Sequence, residues 1–171
     1  MLRRLRTSRG QTLIEFAFVA PLVLVFLLAI VDFGIALDRR IVLDHAVREG
    51  ARLASVGGHS LESGSMTLDE LVGEIKTYTA DQSQGIADGA GVPGAGNYID
   101  VCYDDANGNG TVGDVGDNVQ VRVHYQHDFV TGFTSMFDSD IASIDMNPAS
   151  SARVERPVDG TPASCGAWPP S

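Results

Sequence analysis

Apolar positions fall into three regimes along the chain. From Leu13 to Val31 they run almost unbroken; next they recur as Ala36, Leu43, Val47, Gly50 and Ala54; past about position 97 they alternate with polar residues. The unbroken run predicts a helix about 28 Å long, close to the hydrocarbon thickness of a bilayer, in which Pro21 introduces a bend rather than a stop. The second regime predicts that this helix continues into water with one buried stripe. Asp38, Arg39, Arg40, Asp44, Arg48, Glu49 and Arg52 supply the solvated face, and Asp44 and Arg48 form an i, i+4 pair. Gly57-Gly58 marks the stop. Thr67-Leu68-Asp69-Glu70 reads as a capping box opening a helix with Leu68, Leu71, Val72, Ile75 and Tyr78 on one side. Ile99, Val101 and Tyr103 alternate with Asp100, Cys102 and Asp104, and Val119, Val121, Val123 and Tyr125 with Gln120, Arg122 and His124. These patterns predict two half-buried strands paired as a hairpin, with Ser150–Glu155 adding an edge strand. The fold class is therefore α+β: a long amino-terminal transmembrane and amphipathic helix, then a small head in which a helix packs on an antiparallel sheet.

Size and charge refine this division. With 171 residues and 44% hydrophobic content, the chain suffices for one anchor and one modest head. The boundaries read as a basic leader over 1–10, the helix over 11–56, the head over 57–156 and a flexible Pro-, Gly- and Ser-rich tail over 157–171. The net charge is −10, yet Arg3, Arg4, Arg6 and Arg9 all precede the apolar run. By the positive-inside rule the leader stays in the cytoplasm, and residues after about 38 lie outside the cell membrane, which the chain crosses once. An acidic body of this kind repels phosphate backbones, which argues against a nucleic-acid partner. A simple cleaved signal peptide fits poorly. The apolar run exceeds the usual core of roughly 7–15 residues, it contains Glu15, and no Ala-x-Ala site precedes Asp38-Arg39-Arg40.

Glu15 is the misplaced residue. A carboxylate within a bilayer is penalised by roughly 2.5–3.5 kcal/mol on insertion scales, less near a helix end, so it marks a functional site by default. A cut after Gly10 would put a new α-amino group at Gln11, four residues from Glu15. Arg9-Gly10-Gln11-Thr12-Leu13-Ile14-Glu15-Phe16, with Ala20-Pro21-Leu22, Asp32-Phe33-Gly34 and Asp44-His45-Ala46-Val47-Arg48-Glu49-Gly50-Ala51-Arg52, resembles the TadE-like family over residues 9–54. Val47 stands where that family more often has alanine. Members are pseudopilins of tight-adherence (Flp-type) pilus systems. The resemblance implies a pilin-like fold, cleavage by a prepilin peptidase between Gly10 and Gln11, and a role for Glu15, beside Phe16, in aligning subunits during assembly. It also implies other pilins and pilus assembly proteins as partners. The leading expectation is accordingly an assembly or minor component of such a pilus. The alternative is a surface-anchored binding module with an acidic, calcium-dependent head.

Candidate chemistry in the head is sparse. Counting from Asp105, Asn107, Asn109 and Gly110 take the third, fifth and sixth places of a calcium loop, but Gly116 holds the twelfth, where a bidentate acid belongs, with Asp114 and Asp117 flanking it. The stretch is either a calcium site or a polar Asn-Gly turn; no other cofactor is expected. Cys102 and Cys165 are either two thiols or, in an exported head, a bridge pinning the tail to the first strand. Gly89-Ala90-Gly91-Val92-Pro93-Gly94 lacks the preceding strand and following helix of a dinucleotide site. Phe129, Val130, Phe133, Met136 and Phe137 read as core, with a partner surface as the minor reading. His124 and His127 differ in strand parity and cannot share a metal, and no nucleophile–base pair is evident, so a non-catalytic protein is expected.

Overall fold

The computed structural model describes residues 9–58, 67–84, 86–87, 96–129, 131, 143–158 and 160–168. Gly57 to Met66 reads from its sequence as a linker, of which 59–66 lie outside the described residues, as do the glycine-rich motif 89–94 and Val130, Phe133, Met136 and Phe137. In order, the elements are α1 (Arg9–Ser55), α2 (Leu68–Gln82), β1 (Tyr98–Asp104), β2 (Asn118–Asp128), β3 (Ser143–Met146) and β4 (Ala149–Arg153). The chain divides into two compact units. One comprises Met1–Ala36 and Asp128–Ala142, the other Leu37–His127 and Ser143–Ser171.

In the first unit, α1 passes through Pro21 without ending. Its run is long and apolar enough to cross a membrane. Leu13, Ile14, Phe16, Phe18, Leu22, Phe26 and Ile30 all expose most of their surface, as a helix solvated by lipid does. Asp32 is the exception in kind: it is buried, and its carboxylate accepts hydrogen bonds from the backbone N–H of Thr131 at 3.1 Å and from the Thr131 hydroxyl.

In the second unit, the amphipathic part of α1 belongs to the head. The predicted stripe is real: Leu43, Val47 and Ala54 are buried, joined by Ala46, Ala51 and Leu53. α1 ends at Ser55, where Gly57, at φ +81°, takes the left-handed turn and donates its N–H to the Ala54 carbonyl. The predicted capping box opens α2: Thr67 accepts from the Glu70 N–H, and the Glu70 carboxylate accepts from the Thr67 N–H and hydroxyl. Those bonds hold the Glu70 carboxyl below its ordinary value.

α1 and α2 meet where side chains are small. A Cβ added to Gly50 would lie 2.1 Å from Thr79 Oγ1 and 3.3 Å from Val121 Cγ1. The Thr79 hydroxyl is fixed by donation to the Ile75 carbonyl at 2.7 Å and cannot move aside without losing that bond. Gly50→Ala should therefore cost about 1–3 kcal/mol despite alanine's better helix propensity. Gly73→Ala, in open space on α2, should instead gain about 0.5–1 kcal/mol. Thermal unfolding of the full chain in detergent checks both signs.

β2 is the central strand. It pairs antiparallel with β1, Val101 opposite Val121, and on its other edge with β4, Val121 opposite Ser150; β3 also lies beside β2. Ile99, Val101, Tyr103, Val119, Val121 and Val123 form the fully or nearly fully buried face, and α2 packs against β1. The Tyr103 hydroxyl has no hydrogen-bond partner among the described residues, and burial pushes its pKa up to about 12 from 10.0. Below pH 10 the phenol is neutral in folded and unfolded chains alike. Between about 10 and 12 only the unfolded chain ionises, so stability should fall by about 2–3 kcal/mol as pH rises through that window. Unfolding midpoints measured across it should flatten in Tyr103→Phe.

The opposite face is not half-exposed as alternation predicts. Tyr98, Cys102 and Arg122 are buried there because the carboxy-terminal segment covers them. Composition predicts a flexible tail from residue 157. Instead, Ala163–Cys165 runs parallel along the free edge of β1, the Tyr103 N–H donating to the Ala163 carbonyl at 2.9 Å and the Cys165 N–H to the Tyr103 carbonyl at 3.1 Å. A disulfide joins Cys102 to Cys165 across a sequence separation of 63. The Arg122 guanidinium lies 5.4 Å from the Trp168 ring centroid and donates to the Gly166 carbonyl and to Gln120 Oε1. Trp168 Nε1 donates to the Asn147 carbonyl. Compositional bias does not prevent order when a covalent bond and a ring-stacked arginine hold the segment.

Candidate functional site

The sequence-predicted site residues occupy two places. Gly10 and Gln11 lie in the first turn of α1, with Glu15 and Phe16 one turn further on, both exposed. Gln11 and Glu15 stand four residues apart, and Glu15 heads one face of α1. Phe18, Val19, Leu22 and Phe26 extend that face along i+3, i+4, i+7 and i+11, all exposed. An ionisable side chain at the head of an otherwise apolar, outward-facing surface is chemically suited to pairing with a cation in the same low-dielectric layer, which in a processed chain is the α-amino group at Gln11.

The acidic loop between β1 and β2 forms the second place. Asp105 accepts hydrogen bonds from the N–H groups of Gly108, Asn109 and Gly110 at 2.6, 3.2 and 2.8 Å. Asp117, fully buried, accepts from those of Asn107, Gly113 and Asp114 at 3.4, 2.9 and 3.0 Å. Asp114 takes the Thr111 hydroxyl and the Asn109 amide, which hold its carboxyl below its ordinary value. The twelfth place of the loop, Gly116, has φ +102°, and a Cβ built there would sit 3.2 Å from Arg153 Nη2. That guanidinium stands beside the position a calcium loop gives to a bidentate acid. Among the described residues no group of three His, Cys, Asp or Glu side chains is arranged to hold a metal ion. The carboxylates here close the loop on itself.

Two site-grade features escape the pattern of the sequence. The Arg122–Trp168–Tyr98 cluster depends on the tail returning over β1 and β2, a contact 44 residues apart in sequence between Arg122 and Gly166. Asp32 looks from sequence like the first polar residue after the apolar run, and nothing local says that it is buried against Thr131.

Comparison with known proteins bears on the first place alone. Residues 10–52 match the model of a protein family described as TadE-like protein, a match that begins at Gly10 and ends within the amphipathic part of α1. That family is associated with tight-adherence pili, carries an amino-terminal hydrophobic helix and is not known for enzymatic activity. No curated protein and no solved structure matches the chain.

Proposed function

We propose that the chain is a membrane-anchored pseudopilin, an assembly or minor component of a tight-adherence (Flp-type) pilus, cut by a prepilin peptidase between Gly10 and Gln11. Residues 1–10 remain in the cytoplasm, the apolar part of α1 crosses the cell membrane once, and the head lies outside. The observation that carries this reading is the TadE-like match over residues 10–52, because it contains both the Gly10–Gln11 bond and Glu15 at the start of a helix whose apolar side chains face outward. After the cut, the Gln11 amino group and Glu15 offset one another within one subunit or between neighbours, which gives each incoming subunit a defined register. The protein is then the substrate of an enzyme and performs no catalysis itself.

Glu15→Ala should insert into the membrane normally, because it removes a charge from the apolar run, and should abolish incorporation into pili. Glu15→Asp keeps the charge and should retain part of the activity. Wild-type piliation by Glu15→Ala would contradict the role given to this residue.

A further inference from the structure

Of residues 12–35, Asp32 is the one whose surface is buried. It is 2% exposed, while its neighbours Ile30, Val31 and Phe33 are 66, 53 and 62% exposed. Polar inward and apolar outward is the reverse of a helix end in water, and it is the arrangement a helix takes where its surroundings are lipid and its polar groups must find protein partners. Counting from Leu13, a hydrocarbon layer of about 30 Å takes up roughly 20 residues, which places Asp32 at its outer boundary. Among the described residues, the hydrogen bonds to the carboxylate come from Thr131, two residues after Phe129, and Asp128–Ala142 groups with Met1–Ala36 in one compact unit.

We propose that Asp32 and Thr131 form an interfacial clip, which holds the chain leaving β2 against the outer end of the anchor so that Phe33 and Phe129 rest on the acyl–headgroup boundary of the bilayer. The partner is the lipid surface itself. The clip rests on the reading of α1 as the membrane anchor and adds to it a second contact with the bilayer, made by a segment nearly 100 residues further along the chain. Phenylalanine rings bury at this depth as they do on the apolar face of an interfacial helix, and a carboxylate there is tolerated because the Thr131 N–H and hydroxyl replace the water it loses. Asp32 acts through Thr131 and is a positioning residue.

The test uses the full chain reconstituted in two sets of phosphatidylcholine vesicles, one with acyl chains brominated close to the headgroup, to read the boundary, and one brominated near the chain terminus, to read the bilayer centre. Phe129→Trp, Phe33→Trp and Leu22→Trp are each read against the parent, whose one tryptophan is Trp168. Bromine should quench all three new tryptophans, and adding Asp32→Ala or Thr131→Val to Phe129→Trp should lower its quenching at least twofold while Leu22→Trp is unaffected by either. Two variants are used because Thr131→Val leaves the carboxylate and the backbone N–H in place. Quenching of Leu22→Trp without quenching of Phe129→Trp would overturn the clip and leave the anchor standing. Absence of quenching at Leu22→Trp would overturn the anchor, and the clip with it.

Discussion

Asp117→Ala should lower the stability of the head by about 3–5 kcal/mol. Its side chain is fully buried and accepts three backbone N–H groups from the loop between β1 and β2, and each donor left unsatisfied in a dry site costs about 1–3 kcal/mol. The backbone at Asp117 is engaged as well: its carbonyl accepts the Val154 N–H at 2.8 Å, and the Gly116 N–H donates to the Val154 carbonyl at 3.0 Å, so the loop is stitched to the residue that follows β4. Loss of the carboxylate therefore loosens the end of the sheet along with the loop. Asp117→Asn keeps one acceptor oxygen and should cost less than half as much. Denaturant unfolding of the full chain in detergent reads the difference, and a loss below about 1 kcal/mol in Asp117→Ala would mean that the loop holds its shape without this residue.

Opening the Cys102–Cys165 bridge is the second large effect. Closing a loop of 63 residues removes about 4 kcal/mol of conformational freedom from the unfolded chain on the chain-entropy estimate. Cys165→Ser should lose that and more, since releasing the tail strips Arg122 of the Gly166 carbonyl and of the Trp168 ring and leaves its guanidinium with Gln120 and the Asp100 carboxylate at 3.9 Å. Reductant added to the parent should shift the emission of Trp168 to the red and lower the unfolding midpoint in step. An unchanged midpoint with fully reduced thiols would show that the tail stays docked by its non-covalent contacts alone.

How much of this is legible in the sequence depends on how local the cause is. The apolar run predicts the first helix from its length, the stripe from Ala36 to Ala54 predicts its continuation, and the Thr67–Glu70 box predicts where α2 begins, because each signal is complete within a few turns of chain. The β1–β2 hairpin is legible for the same reason. Gly50 is visible as a small residue in the stripe, but the reason for its size, the Thr79 hydroxyl, sits on another helix. Asp105, Asp114 and Asp117 look equivalent in the sequence; only folding separates the buried Asp117 from the half-buried Asp114 and the exposed Asp105. Arg122 alternates with valines and so reads as a solvated strand residue, until the tail, whose composition suggests disorder, returns to cover it. The candidate site at Gly10 and Glu15 is legible through chemistry rather than pattern: a carboxylate within an apolar run, five residues past Gly10.

The proposed pseudopilin processing turns on the Gly10–Gln11 bond, and sequencing the amino terminus of the protein purified from membranes of cells that express it tests the proposal most directly. A mature chain beginning at Gln11, and failing to appear in Gly10→Ala, is the predicted result. A functional chain that retains residues 1–10 would contradict processing and favour a permanently anchored surface module.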